Sequence, residues 1–361
     1  MIKYLGSKRR LVAELGALLG AAGAADALDL FTGTTRVAQE FCRRGAFVTA
    51  VDTASYSEVL ARCYVETPAD LIDPDEVAEA LARLAALPDR RGYVTEVFAE
   101  TARYFHPANA VRIDAIRDGI DDLYPDGPLR PVLLTSLLEA ADAVDSTVGL
   151  QMAFLKEWAP RALRPLRLRP PVLTPGSGRA LRMDARAAVA EVPPVGLAYL
   201  DPPYNQHRYF TNYHVWETLV RWDAPAHYGI ACKRVDARDD ATRSDFNSRL
   251  RMPEALADVI GNVRADVVVV SFSNEGFLPI DALEEMLGAR GHPVEVLAYD
   301  TRRYIGSMIG IYSPNGQKVG TQGHDRNTEY LLVSAPPGVL APEDLAGLVA
   351  DEAAGEPLRS R

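Results

Sequence analysis

Apolar and polar positions change period three times within the first 60 residues. Leu11, Leu15, Leu18 and Leu19 fall at helical spacing, which predicts an amphipathic helix. Ala27-Leu28-Asp29-Leu30-Phe31 is then a compact apolar strand, and Thr32-Gly33-Thr34-Thr35 turns it into a helix over residues 37–43. Phe47-Val48-Thr49-Ala50-Val51-Asp52 reads as a second strand ending in an acid. Strand, tight glycine turn, helix and strand form the first half of a nucleotide-cradling unit. From Tyr64 to about Trp158 the pattern turns helical, with apolar residues three and four apart over 77–87, 93–104, 111–120 and 132–144. Further strands are predicted over 197–200, 266–272, 293–299 and 329–334, with helices over 186–190 and 280–287. Asn315-Gly316 predicts a turn or hairpin. Residues 228–251 are polar and arginine-rich, as a long surface loop at a substrate mouth would be.

This alternation predicts an α/β fold interrupted by helices. Its expected division is 1–63, an inserted helical subdomain over 64–169, a return to the sheet over 170–340, and a tail over 341–361. With 361 residues, 48% hydrophobic and 24% charged, the composition is that of a globular chain with ample core. Cys42, Cys63 and Cys232 are scattered, with no metal-ligand spacing, so a reducing compartment and no structural metal are expected. Lys3, Lys8, Arg9 and Arg10 ahead of the leucines imitate a secretory signal, but Glu14 interrupts the apolar run. No stretch approaches the length of a membrane span. The expected location is therefore cytoplasmic, with no membrane partner.

Net charge is −10, which by itself disfavours a polyanionic partner. Its distribution reverses that inference. Between Glu66 and Asp145 acids outnumber arginines 17 to 7, whereas between Lys156 and Arg186 eight basic residues face two acids. Lys156, Arg161 and Arg164 open that basic stretch, and it has the local charge that a nucleic-acid face needs.

The stretch that carries chemistry is Leu197-Ala198-Tyr199-Leu200-Asp201-Pro202-Pro203-Tyr204-Asn205. Neither proline can donate to a sheet ladder, so the strand must stop and turn at Asp201. The turn presents a carboxylate, a carbonyl free of ladder bonds and an aromatic ring side by side. That trio suits a flat base with an exocyclic amine: Asp201 and the Pro202 carbonyl accept its two hydrogens while Tyr204 stacks on the ring. Both oxygens must face a nucleotide cleft for this to work. Upstream, Gly6 lets the backbone come close and Lys8 can reach an anion. Asp52 lies 23 residues beyond Asp29, about the interval that places an acid on ribose hydroxyls. Asp184 suits either an adenine amine or a helix cap. Tyr209 and Tyr213 are candidates to wall the site.

Taken in order, Lys3-Tyr4-Leu5-Gly6-Ser7-Lys8, Asp29-Leu30-Phe31-Thr32-Gly33, Asp52, Asp184 and Asp201-Pro202-Pro203-Tyr204 resemble the Dam-like, alpha-arranged class of adenine-N6 site-specific DNA methyltransferases. Tyr209 through Thr218 and Ser271 through Gly276 add to the likeness. The resemblance implies a Rossmann-like S-adenosylmethionine-dependent methyltransferase fold. It also implies that Phe31 and Gly33 line the S-adenosyl-L-methionine site with Asp29 and Gly6 nearby, Asp52 holds the ribose, Asp184 the cofactor adenine, and Tyr4 and Lys8 lie near the methionine end. Asp201, Pro202, Pro203 and Tyr204 would then grip a flipped adenine in double-stranded DNA. The 64–169 insertion and the arginine-rich loop over 233–251, with Lys233 and Arg234, would choose the sequence, with Asn274, Arg302 and Tyr304 also facing substrate. The expected enzyme is nucleoid-associated, and a cognate restriction endonuclease and the oligomeric state are left open. Thr35 and Arg36 depart from the family's usual second glycine and small residue. Two rivals remain at this point, a methyltransferase acting on an RNA guanine amine and a catalytically silent DNA-binding module.

Overall fold

The computed structural model describes residues 2–6, 8–302, 326–341 and 344–345. Helix α1 (Val12–Ala21) leads to β1 (Asp26–Leu30), α2 (Arg36–Arg43), β2 (Phe47–Asp52) and α3 (Ser55–Ala61). Helices α4 (Pro74–Ala85), α5 (Pro107–Leu123) and α6 (Leu129–Ala143) follow, then β3 (Gly178–Arg182), α7 (Ala185–Glu191) and β4 (Val195–Leu200). Next come α8 (Tyr209–Asn212), α9 (His214–Arg221), the two-residue strands β5 (His227–Tyr228) and β6 (Lys233–Arg234), and α10 (Met252–Asn262). Strand β7 (Ala265–Ser273), α11 (Ile280–Gly288), β8 (Val294–Arg302) and β9 (Arg326–Ser334) complete the order.

Seven strands form one sheet in the order β3-β2-β1-β4-β7-β9-β8. All pair in parallel except at β9, which runs against both neighbours. The chain is thus a Rossmann-like α/β fold. Strands β4 and β7 are buried on both faces, which explains their unbroken apolar runs. One core lies on the α1, α2 side of the sheet and another under α7, α10 and α11. A third core joins α3 to α6 with α9 and the N-terminal Ile2, so the helices between β2 and β3 pack onto the elements that flank the site. Among the described residues no helix is long and apolar enough to cross a membrane.

Helix α3, strand β3 and helix α10 were among the elements not legible. Strand β3 (Gly-Arg-Ala-Leu-Arg) sits at the sheet edge and has no apolar alternation, and α10 lies at the end of a stretch that reads as polar loop. The 228–251 stretch is itself more anchored than expected. It carries the β5–β6 hairpin and short 3₁₀ turns, and Arg234, Ala237 and Phe246 are buried. The Asn315-Gly316 turn, Arg303 and Tyr304 lie outside the described residues.

β3 is admitted beside β2 only because Gly178 lacks a side chain. A Cβ there would stand 2.2 Å from the Val48 carbonyl oxygen, which is backbone and cannot move aside. Gly178→Ala is expected to lower stability by about 1–3 kcal/mol, the usual range for overpacking. An unchanged midpoint in chemical denaturation would rule this out.

Candidate active site

Strand order reverses between β1 and β4, and in open α/β sheets the crevice beyond such strand ends is where ligands sit. The register pairs Leu30 with Leu200, so Phe31 and Asp201 emerge together at that crevice. A cleft of about 810 Å³, counted out to its open mouth, lies there. Tyr4, Gly6, Phe31, Asp52, Asp184, Asp201, Pro203 and Tyr209 all line it. Five segments separated in the sequence thus meet at one place.

The turn after β1 is fixed by hydrogen bonds from Thr32 N to the Val51 carbonyl (3.0 Å) and from Gly33 N to Asp52 Oδ2 (2.9 Å). Asp52 Oδ1 accepts from Ala54 N at 3.0 Å, so both oxygens are oriented. Burial raises the Asp52 carboxyl, and the backbone amides of Ala54 and Gly33 oppose that shift. Thr35 adopts a left-handed φ of 62°, the conformation a glycine would take without strain. Its hydroxyl donates to the Thr34 carbonyl and accepts from Gln39 Nε2. These bonds help offset a strain of about 1–3 kcal/mol, so the loop keeps a glycine-like path without the glycine.

Asp29 does not line the cleft. It is buried beneath the turn, where Oδ2 accepts from Thr32 Oγ1 and Ala38 N. Burial pushes its carboxyl up to about 7, with Asp201 and Asp52 adding to the rise. Asp184 takes the helix-cap option of its two sequence readings. It caps α7 through Arg186 N and also stands on the cleft wall.

Asp201 is held by one oxygen. Its Oδ1 accepts from Ser271 Oγ at 2.8 Å and pairs with Lys8 Nζ at 2.9 Å. The requirement that both functional oxygens be clear of neighbours therefore holds only in part. No described contact falls on Asp201 Oδ2, and no described hydrogen bond falls on the Pro202 carbonyl. Burial raises the Asp201 carboxyl, Lys8 lowers it and Glu329 raises it again, and the net direction is upward. Tyr204 packs its ring 5.8 Å from that of Phe272, and its carbonyl accepts from Phe277 N.

Lys8 is a correction to the sequence expectation. Its side chain is only 6% exposed, and Nζ lies between Asp201 Oδ1 and Glu329 Oε1, 2.6 Å from the latter. A desolvated ammonium goes to the nearest carboxylates. Although burial opposes the charged form, Asp201 and Glu329 hold Lys8 above the ordinary lysine range.

Tyr213 is a second correction. It is fully buried, its hydroxyl accepts from Leu5 N, and its ring stacks 4.7 Å from Tyr4. It supports Tyr4 from behind, while Tyr209, 5.3 Å from Tyr4, reaches the cleft. Arg234 is a third. It is 1% exposed and forks onto Asp223 and Asp236, so it anchors its loop instead of presenting charge. Lys233 beside it is half-buried.

Along the basic stretch Lys156 and Arg164 are exposed, whereas Arg161 binds Asp145 at 2.7 Å. Asn274 is exposed yet exchanges hydrogen bonds with Thr328 of β9. Arg302 ends β8. Sequence reasoning missed Thr53, Met183, Thr242, Ser244, Phe246 and Asn247 on the cleft wall. Phe246 packs edge-on against Phe31 at 4.8 Å, and Asn247 Nδ2 donates to the Asn205 and His207 carbonyls. Only a lone phenylalanine in a polar run hinted at this.

Residues 4–259 match the model of the D12 class N6 adenine-specific DNA methyltransferases. The Type II methyltransferase M.NlaIII of Neisseria lactamica is 30% identical over 72% of this chain and 78% of its own length. Modification methylase StsI of Streptococcus sanguinis is 29% identical over 79% of this chain, which spans 46% of StsI. The Type II methyltransferase M.CviAII of Paramecium bursaria Chlorella virus 1 is 26% identical over 78% of this chain and 85% of its own.

Proposed function

Because this chain belongs to the D12 class of N6 adenine-specific DNA methyltransferases, we propose that it takes S-adenosyl-L-methionine as donor and methylates an adenine rotated out of double-stranded DNA at the Asp201 turn. The observation that carries the assignment is the Asp201 carboxylate, fixed through one oxygen at the crevice between β1 and β4. The cleft suits the donor. Phe31, Met183 and Phe246 offer apolar faces for a purine, and Asp52 and Asp184 stand where hydroxyls and an amine need acceptors. When bound, the donor supplies an electrophilic methyl group carried on a sulfonium.

The remaining work falls to the chain. Asp201 Oδ2 and the Pro202 carbonyl accept the two N6 hydrogens, which draws the nitrogen lone pair out of conjugation and makes it a better nucleophile. As N6 gains positive charge, the fixed carboxylate stabilises it without reorganising, and the methylated nitrogen then sheds one proton to solvent. Rotating the base out costs a few kcal/mol, and stacking on Tyr204 returns about 1–3 kcal/mol. The helices between β2 and β3, with Lys156 and Arg164 exposed nearby in sequence, form the surface that chooses the DNA site. Modification methylases among its relatives support pairing with a restriction endonuclease.

Incubation with methyl-labelled donor and unmethylated plasmid should place N6-methyladenine at a defined sequence, read by mass spectrometry and modification-sensitive sequencing. Label on ribosomal RNA guanine and none on plasmid would reject the proposal, and so would absence of donor binding by calorimetry. DNA affinity should also fall steeply between 50 and 200 mM salt, the range over which phosphate contacts release counterions. Salt-independent binding would exclude a phosphate-contacting face.

A further inference from the structure

One buried carboxylate is enough to neutralise one buried ammonium. Lys8 has two. Asp201 reaches it from the end of β4 and Glu329 from β9, with side chains 19% and 12% exposed. The register explains how Glu329 arrives, since it lies opposite Ser273 at the end of β7, two residues beyond the Ser271 that holds Asp201. Placing a second acid in this desolvated corner is electrostatically unfavourable unless it does something.

We propose that Glu329 is a positioning residue for methyl transfer, which seats the Lys8 ammonium and leaves the Asp201–Lys8–Glu329 cluster one net negative charge. Without Glu329 the Lys8 ammonium would be drawn wholly onto Asp201, and the neutral pair would offer no net negative charge to the cationic donor or to the N6 centre as it becomes cationic. With Glu329 the ammonium is shared, so the Asp201 carboxylate remains the stronger hydrogen-bond acceptor for the substrate amine. The inference rests on the proposed function, and it assigns a role to a residue that no motif marks.

The groups around Asp201 set the signs of the test. Lys8 faces it from the N-terminal loop, Ser271 from β7 and Glu329 from β9. Asp29 acts from β1, Tyr199 from β4 and Tyr209 from α8, and Tyr204 in the turn acts on Lys8. Lys8 and Glu329, neither of them on the wall of the cleft, push the Asp201 carboxyl in opposite directions.

Aspartate-labelled donor-free protein, with the Asp201 carboxyl signal assigned through Asp201→Asn, is titrated by carbon NMR. Lys8→Met should move that titration up by about 1–3 units. Glu329→Gln should move it down by about 1 unit, and the double variant should return it toward the wild type. The acid limb of kcat should follow in each case, and Glu329→Gln should lower plateau kcat about 10- to 100-fold with calorimetric donor affinity nearly retained. Titrations that stay fixed, or that shift in the same direction in both single variants, would overturn the role of Glu329. An inactive wild type would instead defeat the proposed function, so the two failures are distinguishable. Should Glu329→Gln fail to fold, Lys8→Met and the double variant still decide the question, because a structural role predicts no opposed shifts.

Discussion

Asp201→Ala is expected to reduce methyl transfer by at least about 10³-fold, the upper end of what losing one preorganised electrostatic partner costs. On the proposed mechanism the variant removes one of the two acceptors for the N6 hydrogens and the charge that stabilises the nitrogen as it becomes cationic. It should fold, because Lys8 retains Glu329 at 2.6 Å and is not left as an unpaired buried charge. Donor affinity should change little, since Phe31, Asp52, Met183 and Asp184 remain on the cleft wall. Single-turnover rates with labelled donor, set beside calorimetric titration of the same preparation, check both halves. Turnover like the wild type would remove Asp201 from the reaction, and loss of folding together with activity would make it structural.

The second large effect is expected at Gly33. Its φ is 53°, and a Cβ would lie 2.8 Å from the Tyr4 ring. Tyr4 has little room to give way, because it stacks on both Tyr209 and Tyr213 and stands edge-on to Tyr56. Gly33→Ala must therefore shift the turn itself, and with it the amide that orients Asp52. The expected stability loss is about 1–3 kcal/mol for a non-glycine forced into this conformation. Donor affinity should weaken by about tenfold or more, which corresponds to about 1.4 kcal/mol. Calorimetry and denaturant midpoints together test this. Undiminished donor affinity would show that the turn is not part of the donor site.

The contrast between Gly33 and Thr35 shows how far motif reading reaches. A left-handed position after β1 is recognisable when a glycine occupies it. Two residues on, the same conformation is carried by Thr35 and hidden by its side chain, whose hydroxyl bonds locally to Thr34 and Gln39. Tyr213 and Arg234 mislead for a related reason. An aromatic or a basic residue near a catalytic turn reads as ligand-facing, yet Leu5 N claims the first and a fork of two aspartates claims the second. Burial depends on what packs from elsewhere, and residue type does not reveal it.

What the chain determined by itself is local. Apolar runs interrupted by prolines and glycine fix where β1, β2 and β4 end, because Pro202 and Pro203 cannot extend a ladder and Gly33 permits the turn. Those endings place Phe31, Asp52 and Asp201 at strand termini before any tertiary contact is known. Strand order, the antiparallel insertion of β9 and the reach of the N-terminal loop are decided by packing. These bring Lys8 and Glu329, 321 positions apart in sequence, onto one carboxylate. Charges in a desolvated site interact across space with no memory of chain separation, so only the folded structure could show that Asp201 has two charged neighbours of opposite sign.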